Sequence, residues 1–298
     1  MFQTSEIQHK KNSKLLYVEA YELFTDKVHL IPEVAFTLAK HPNDQLMPFR
    51  DSSGCAIQKD SQSALVVALA EYVERQSLSL FWYFGHCNSA WNTRQISYLF
   101  TEEISKMVCT LEKRGKVLLF DISSVKPYRS VIAVFVSKKG SVNFAIGASS
   151  NSVVDKAVAK ALIELYQAYT LMQQLQANKA LSEQFGVEID GLSKGYLSHN
   201  SQKTVDVFVD YYEKFSDKFL PNDDDIKWCV KEKALKIFAY ERCLKFGAPY
   251  PNLHFCALMS LNGFPVMSRP ECYSEAFRHS GCFYGYHNLI RQGDIPFG

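Results

Sequence analysis

The chain has 298 residues, 47% of them hydrophobic, which is enough to bury a sizeable core. Lysines and arginines number 33 against 31 aspartates and glutamates, and the net charge of +2 gives no electrostatic case for nucleic acid as a partner. No apolar run approaches the roughly 20 residues that cross a bilayer, and the first residues lack the apolar segment of a signal peptide. We therefore expect a soluble, cytoplasmic protein without membrane contact.

The first part of the chain predicts two strands and a long helix. Residues 15–40 alternate between apolar and polar side chains, which indicates a short strand pair. Residues 41–53 are typical of a loop. From Ser61 to about Tyr83 the apolar side chains recur at helical spacing, and Asp60 or Ser61 is suited to cap that helix.

The middle of the chain alternates between helix and strand patterns. The expected elements are a helix near 101–114, a strand at 116–124, a hairpin over 130–149 that turns at Lys138 to Gly140, and a helix at about 153–176. Two strands that lead into a helix indicate an antiparallel sheet covered by helices. The predicted fold class is therefore α+β, built from sheet and helix units.

The last third of the chain predicts mostly helix. Helical patterns cover about 178–186, 203–219 and 223–246, whereas residues 253–263 are strand-like. The tail over 265–298 is dense in Pro, Gly, Arg and aromatic residues, so we expect it to be ordered and to pack on the rest of the protein. The chain as a whole, 1–298, is predicted to form a single domain with a helical C-terminal part.

One spacing pattern occurs twice. Gly54 and Gly147 each begin a stretch with an alanine at +10, an Ala-Leu pair at +14 and +15, and a glutamate at +17, and 93 residues separate the two copies. The copies span about 51–84 and 144–176. Repeated copies indicate two similar units that pack together, and both carry polar side chains on an otherwise apolar face. We expect a binding site where the units join.

The first copy places two carboxylates and an arginine on one helix face, because Glu71, Glu74 and Arg75 stand at positions i, i+3 and i+4. The second copy offers Glu164 and Gln167 at the corresponding positions. Neighbouring carboxylates repel each other unless a cation compensates them, and such oxygen donors suit Mg²⁺ shared with substrate phosphates. A solvated helix face with an internal ion pair is the alternative interpretation.

Other motifs give weaker indications. Neither the Gly-x-x-x-x-Gly-Lys-Ser/Thr loop nor Gly-x-Gly-x-x-Gly occurs, so a nucleotide would bind without the familiar glycine loops. The eight cysteines form no Cys-x-x-Cys pair, which argues against a zinc ribbon. His254 and Cys256 suggest a base and a nucleophile, or simply a buried strand. Arg269 in the tail is suited to contact a phosphate or a peptide.

The two copies resemble a known family. The segment SSGCAIQKDSQSALVVALAEYVER is similar to the first hallmark of the YcaO family, and GASSNSVVDKAVAKALIELYQ is similar to the second. The resemblance covers about residues 15–176. It implies a YcaO-like fold that binds ATP through Mg²⁺ held by helix carboxylates. Members of the family phosphorylate a backbone amide oxygen of a peptide and so activate it for attack by a nucleophile.

The resemblance also assigns residues. It implies that Glu71, Glu74 and Glu164 are Mg²⁺ ligands, and that Arg75 and Gln167 belong to the same nucleotide site. The family often has a further acidic residue directly before the alanine of the second motif. This chain has a lysine there and Asp155 one place earlier, so Asp155 is a possible additional residue of the site.

The function implied is the ATP-dependent formation of thiazoline and oxazoline rings from Cys, Ser and Thr of a ribosomal precursor peptide, as in azole-containing microcins. The expected partners are that precursor, a separate subunit that binds its leader, and a flavin-dependent azoline dehydrogenase. The chain begins near where an amino-terminal segment of family members normally ends. That departure favours one alternative, a non-catalytic scaffold subunit. A thioamide-forming relative is the other.

Overall fold

The computed structural model describes residues 16–36 except 24 and 26, and residues 54–186, 197–216, 221–229, 237–245 and 252–260. The predicted loop at 41–53 and the predicted tail at 265–298 lie outside these residues. The chain divides into two compact units, one formed by Met1–Arg75 and Val230–Arg269 and the other by Gln76–Cys229 and Pro270–Gly298.

The elements alternate between strand and helix along most of the chain. The strands are β1 Tyr17–Glu22, β2 Lys27–Pro32, β3 Cys55–Gln58, β4 Ser89–Asn92, β5 Lys116–Asp121, β6 Arg129–Val136, β7 Phe144–Asn151, β8 Ile237–Leu244 and β9 Leu253–Ser260. The α-helices are α1 Ser61–Phe84, α2 Glu102–Glu112, α3 Val154–Phe185 and α4 Gln202–Phe215. These bounds confirm the predicted strand pair at 15–40, the hairpin, the first repeat helix and the helix near 203.

The first unit contains an antiparallel sheet with the strand order β2-β1-β8-β9-β3. Alternate side chains of its strands point to one face, where Ala20, Ile31, Phe238 and Ala257 form a small buried cluster with Phe36. The hairpin β1-β2 and the hairpin β8-β9 come from opposite ends of the chain. β1 pairs with β8, and this pairing joins the two hairpins into one sheet.

The second unit contains an antiparallel sheet with the order β4-β5-β6-β7, and its strands β5, β6 and β7 are almost entirely buried. Helices cover both faces, which explains why these strands are apolar on both sides. Helices α2 and α3 pack on one face through residues such as Val108 and Leu162. The end of α1 and helix α4 pack on the other through Phe81 and Phe208, whose rings stack at 6.2 Å.

The helix starts follow from short polar side chains. Asp60 caps α1, because its carboxylate accepts a hydrogen bond from the backbone amide of Ser63 at 2.8 Å. This hydrogen bond and the one from the Ser63 hydroxyl lower the pKa of Asp60. Thr101 and Ser201 cap α2 and α4 by accepting amide hydrogen bonds in the same way. The prediction of Asp60 or Ser61 as the cap is thus settled in favour of Asp60.

Two predictions for the last third were wrong. The predicted helix at 223–246 is absent from the described part of that range, since Asp223–Asp225 form a single 3-10 turn and Ile237–Leu244 form β8. Half of the β8 residues, Ala239, Glu241, Arg242 and Leu244, are good helix formers, but pairing with β1 and β9 outweighs that preference. The predicted separate helix at 178–186 is instead the end of α3, which runs without a break to Phe185.

The first copy of the repeat obtains its neighbouring strand from a distant part of the chain. In the second copy, β6 and β7 form a hairpin that leads into α3. In the first copy, β3 leads into α1 but pairs with β9, which follows about 200 residues later in the sequence. In both repeats a strand leads directly into the helix. The strand that pairs with it precedes it in a hairpin in the second repeat and comes from a distant part of the chain in the first.

A buried polar network fixes the segment Pro221–Cys229 to the second unit. The Arg129 guanidinium donates hydrogen bonds to Asp121 at 2.9 Å, to Asp223 at 3.2 Å and to the carbonyl of Pro221 at 3.1 Å. Asp121 is fully buried and also accepts a hydrogen bond from the backbone amide of Ser123 at 2.8 Å. The network is extensive enough to satisfy a carboxylate that has no contact with water.

His86 contacts the other end of this segment at Cys229. Its Nε2 lies 2.8 Å from the carbonyl of Ser123, and its Nδ1 lies 3.3 Å from Sγ of Cys229. Because only a protonated Nε2 can donate to a carbonyl, Nδ1 of the neutral ring is the acceptor of the thiol proton. Burial lowers the pKa of His86, although the Ser123 carbonyl and Asp121 oppose this effect.

The lowered pKa of His86 predicts a loss of stability in mild acid. Protonation below the ordinary pKa of about 6.5 favours the unfolded chain, so this stability is complete above that pH and declines below it. We expect the free energy of unfolding to fall by up to about 1.4 kcal/mol per pH unit for this group. Urea titrations at a series of pH values measure this. His86→Gln, which can still donate to Ser123, should flatten the profile, and an unchanged slope would contradict the assignment.

None of the helices in the part of the chain that the structure describes is long and apolar enough to cross a membrane.

Candidate nucleotide and magnesium site

The carboxylates of the first repeat lie together on α1. The guanidinium of Arg75 lies 3.8 Å from Oε1 of Glu71 and 4.0 Å from Oε1 of Glu74. The Glu71 side chain is 23% exposed and the Glu74 side chain only 6% exposed. Glutamate is rarely buried without a positive counter-charge. The structure therefore places these three residues together on one helix face, with one carboxylate largely removed from water.

The polar residues of the second repeat lie on α3. The Glu164 side chain is 36% exposed and forms an i,i+4 ion pair with Lys160, whose Nζ lies 3.5 Å from Oε1. Gln167 follows one turn later and is exposed. Residues three apart on a helix face the same side, so Glu164 and Gln167 share a face of α3.

The structure does not group the two remaining candidates, Asp155 and Arg269, with these residues. Asp155 is exposed in the first turn of α3, nine residues before Glu164. At about 1.5 Å and 100° per residue, it lies roughly 13 Å along the axis and half a turn around the helix from Glu164. Asp155 therefore does not share the face of Glu164. Arg269 lies outside the described residues.

The donor set fits Mg²⁺ rather than a transition metal. The candidate ligands are carboxylates, and hard oxygen ligands are those that Mg²⁺ prefers. Within the described residues no three or more His, Cys, Asp or Glu side chains gather so as to hold an ion by themselves. Mg²⁺ in nucleotide sites usually has one or two protein carboxylates and completes its coordination with phosphates and water. Glu71 and Glu74 are enough to meet that requirement on α1, and Glu164 is a separate candidate ligand on α3.

The alternative pair on β9 does not have the properties of a nucleophile and its base. Cys256 is fully buried, and burial together with the nearby Glu241 raises the pKa of its thiol to about 12. A thiol with so high a pKa carries almost no thiolate at neutral pH. His254 pairs in register with Cys243 on β8, as expected of an ordinary ladder position. The strand predicted for 253–263 is thus confirmed over Leu253–Ser260, and residues 261–263 lie outside the described residues.

Sequence reasoning identified the glycines of the repeat as markers but not as packing residues. Gly147 lies within β7, opposite Ala133 of β6, and it faces the helix that carries Glu164. Gly54 extends the β3-β9 ladder, because its carbonyl accepts a hydrogen bond from the amide of Leu258 at 3.0 Å. The signal in the sequence was a fixed distance from glycine to glutamate. The structure shows that in the second repeat this distance reflects the packing of α3 on β7.

The chain is similar to proteins of known family. The family model described as YcaO cyclodehydratase, ATP- and Mg²⁺-binding, matches residues 3–236. The microcin B17-processing protein McbD of Escherichia coli is 24% identical over 228 residues, which cover 74% of this chain and 54% of McbD. The chain thus spans about half the length of this curated relative.

Solved structures share the fold. The E. coli microcin synthetase McbBCD complex matches with a TM-score of 0.66 at 22% identity, over 82% of this chain and 64% of that one. The YcaO protein of Methanopyrus kandleri, bound with AMPPCP and Mg²⁺, matches with a TM-score of 0.52 at 17% identity, over 82% of this chain and 63% of that one. The likeness at these identities concerns the fold, and it confirms the α+β class. Since the family model covers more than half of the chain, the protein belongs to the YcaO family of ATP- and Mg²⁺-binding cyclodehydratases.

Proposed function

We propose that this protein is the ATP-dependent cyclodehydratase subunit of a cytoplasmic complex that forms thiazoline and oxazoline rings in a ribosomal precursor peptide. The observation that supports this function best is the presence of a glutamate at the same distance from a glycine in both repeats of a chain that belongs to the YcaO family.

The proposed roles of the residues follow from their charges. Glu71, Glu74 and Glu164 are the proposed Mg²⁺ ligands, and Glu74 is the most effective of the three electrostatically because it is the least exposed to water. Arg75 offsets the mutual repulsion of Glu71 and Glu74 and holds them in place before the ion binds.

The nucleotide supplies a phosphoryl group that converts the amide oxygen of the peptide into a good leaving group, and Mg²⁺ offsets its charge. Gln167 is a neutral amide on the same helix face as Glu164, so it can hydrogen bond to a phosphate or a ribose without adding negative charge. Arg75 contributes positive charge next to the carboxylates.

The solved relatives support a precursor peptide and partner subunits among the proposed partners. One solved relative is the McbBCD complex with pro-MccB17 bound, which matches this chain with a TM-score of 0.67 over 83% of its length. By analogy we propose that this protein acts on a precursor peptide together with a subunit that binds the leader, and that a flavin-dependent dehydrogenase oxidises the azolines to azoles.

Reconstitution tests the function. The protein, a candidate partner subunit and a candidate precursor peptide are combined with ATP and Mg²⁺. We expect phosphate release and a loss of about 18 Da for each ring that forms, which is the mass of the water removed. Phosphate release without any change in peptide mass would argue against cyclodehydration.

The same experiment separates the alternatives. A thioamide-forming relative would exchange oxygen for sulfur, so the peptide would become heavier when a sulfide donor is present. A scaffold subunit would neither bind AMPPCP in the presence of Mg²⁺ nor release phosphate. Calorimetric titration with AMPPCP alone identifies this second case without any knowledge of the precursor.

A further inference from the structure

Strand β7 and helix α3 are in direct backbone contact at Gly147. A Cβ atom placed on Gly147 would lie 2.2 Å from the amide nitrogen of Leu165, 2.4 Å from the carbonyl oxygen of Ala161 and 2.7 Å from the carbonyl carbon of Glu164. All three atoms belong to the backbone of one helical turn, so no side-chain rotation can relieve the overlap. Any residue larger than glycine must move α3 away from the sheet.

The first unit has the same register at greater separation. A Cβ atom on Gly54 would lie 3.2 Å from Cβ of Leu258 on β9, and its nearest helix atom would be Cβ of Tyr72 at 3.6 Å. Tyr72 stands 18 residues after Gly54, just as Leu165 stands 18 residues after Gly147. In each unit, the glutamate at +17 directly precedes the residue that meets the glycine. The distance from glycine to glutamate in the sequence thus records a contact between strand and helix.

We propose that Gly147 is a positioning residue for Glu164, an inference that rests on the proposed function. The backbone contact with β7 fixes the depth at which the turn 161–165 lies on the sheet. The carbonyl carbon of Glu164 is part of that contact, so the origin of its side chain is fixed by the sheet and not only by the helix. Mg²⁺ demands near-ideal ligand geometry and distances of about 2.1 Å, so a displaced turn weakens its binding.

The test compares two glycine variants of the whole protein. Gly115→Ala is the control, because a Cβ atom there would lie 2.5 Å from the carbonyl oxygen of Val136 and 2.6 Å from the ring of Phe135, so that the overlap is with β6 and not with the backbone of α3. Both variants are expected to lower the melting temperature. Only Gly147→Ala is expected to raise the Mg²⁺ concentration that half-saturates AMPPCP binding, by about 10- to 100-fold, as for other residues that orient a metal ligand.

A double-mutant cycle separates positioning from general destabilisation. If Gly147 acts through Glu164, the variant Gly147→Ala/Glu164→Gln should require no more Mg²⁺ than Glu164→Gln alone, because the effects are coupled. Multiplication of the two effects, or an equal Mg²⁺ requirement in Gly147→Ala and Gly115→Ala, would overturn the proposal. A wild-type protein that binds no AMPPCP with Mg²⁺ would overturn the proposed function as well.

A second variant serves if Gly147→Ala does not fold. Glu164→Asp keeps the charge but withdraws the carboxylate by one methylene, and Glu164 is exposed enough for the change to leave folding intact. If the sheet fixes the helix depth, α3 cannot advance to compensate. Glu164→Asp should then lose nearly as much Mg²⁺ affinity as Glu164→Gln. Retention of wild-type affinity by Glu164→Asp would show that the helix adjusts freely and would refute the positioning role of Gly147.

Discussion

Replacement of Glu74 by glutamine is expected to lower kcat/KM for ATP hydrolysis by about a hundredfold or more, which corresponds to roughly 2.7 kcal/mol. The amide has the volume of the carboxylate but lacks its charge. Because the Glu74 side chain is only 6% exposed, water screens its charge weakly, and the loss of attraction for Mg²⁺ is correspondingly large. Phosphate release at increasing Mg²⁺ concentrations measures the effect.

Glu183→Gln is the control for the glutamate series. Glu183 lies on α3, as Glu164 does, and it forms the same kind of i,i+4 pair, with 3.9 Å between Oε1 and Nζ of Lys179. It is 69% exposed, and such a surface pair contributes little to stability. We expect hydrolysis by Glu183→Gln to match that of the wild type, whereas Glu164→Gln should be impaired. If Glu74→Gln and Glu164→Gln both hydrolyse ATP at the wild-type rate, the assignment of the site is wrong.

Removal of the Arg129 guanidinium should have the largest effect on stability. Arg129→Met leaves the fully buried carboxylate of Asp121 without its charged partner, and breaking a buried pair from one side typically costs about 3–5 kcal/mol. The variant also loses the hydrogen bonds to the carbonyl of Pro221. We expect a lower urea midpoint, measured by circular dichroism.

Two further variants give this stability prediction its controls. Asp223→Asn removes the other ion pair of Arg129, but Asp223 is 51% exposed, so we expect a cost of no more than about 1 kcal/mol. Asp121→Asn in the Arg129→Met background removes the stranded charge, and part of the lost stability should return. Equal destabilisation by Asp223→Asn and Arg129→Met would mean that burial of Asp121 is not the cause.

Local sequence patterns were enough to predict the elements that pack or pair with residues close to them in the sequence. The cap at Asp60 and helix α1 depend on residues within a few positions of one another, and the hairpin β6-β7 pairs strands that follow directly in the sequence. β8 does not, because its ladder partners β1 and β9 include one more than 200 residues earlier in the chain. Its helical local sequence predicted the wrong structure for that reason.

The candidate site divides in the same way. Helical periodicity alone placed Glu71, Glu74 and Arg75 on one face, and the structure has them there. Burial of Glu74 could not be read from its own helix, since it depends on what packs against α1. The backbone contact at Gly147 was equally out of reach, because spacing along the chain cannot give the distance between a strand and a helix.

The pairing of β3 with β9 has a consequence for synthesis on the ribosome. β3 ends at Gln58 and its partner strand β9 ends at Ser260. β3 therefore has no strand to pair with until about 200 further residues have been translated. At about 5–20 residues per second this interval is roughly 10–40 s. Residues 76–229 emerge as one uninterrupted stretch in the meantime. A nascent chain therefore exposes an unpaired strand for a long period, and chaperones that shield such strands are expected to raise the yield of this protein.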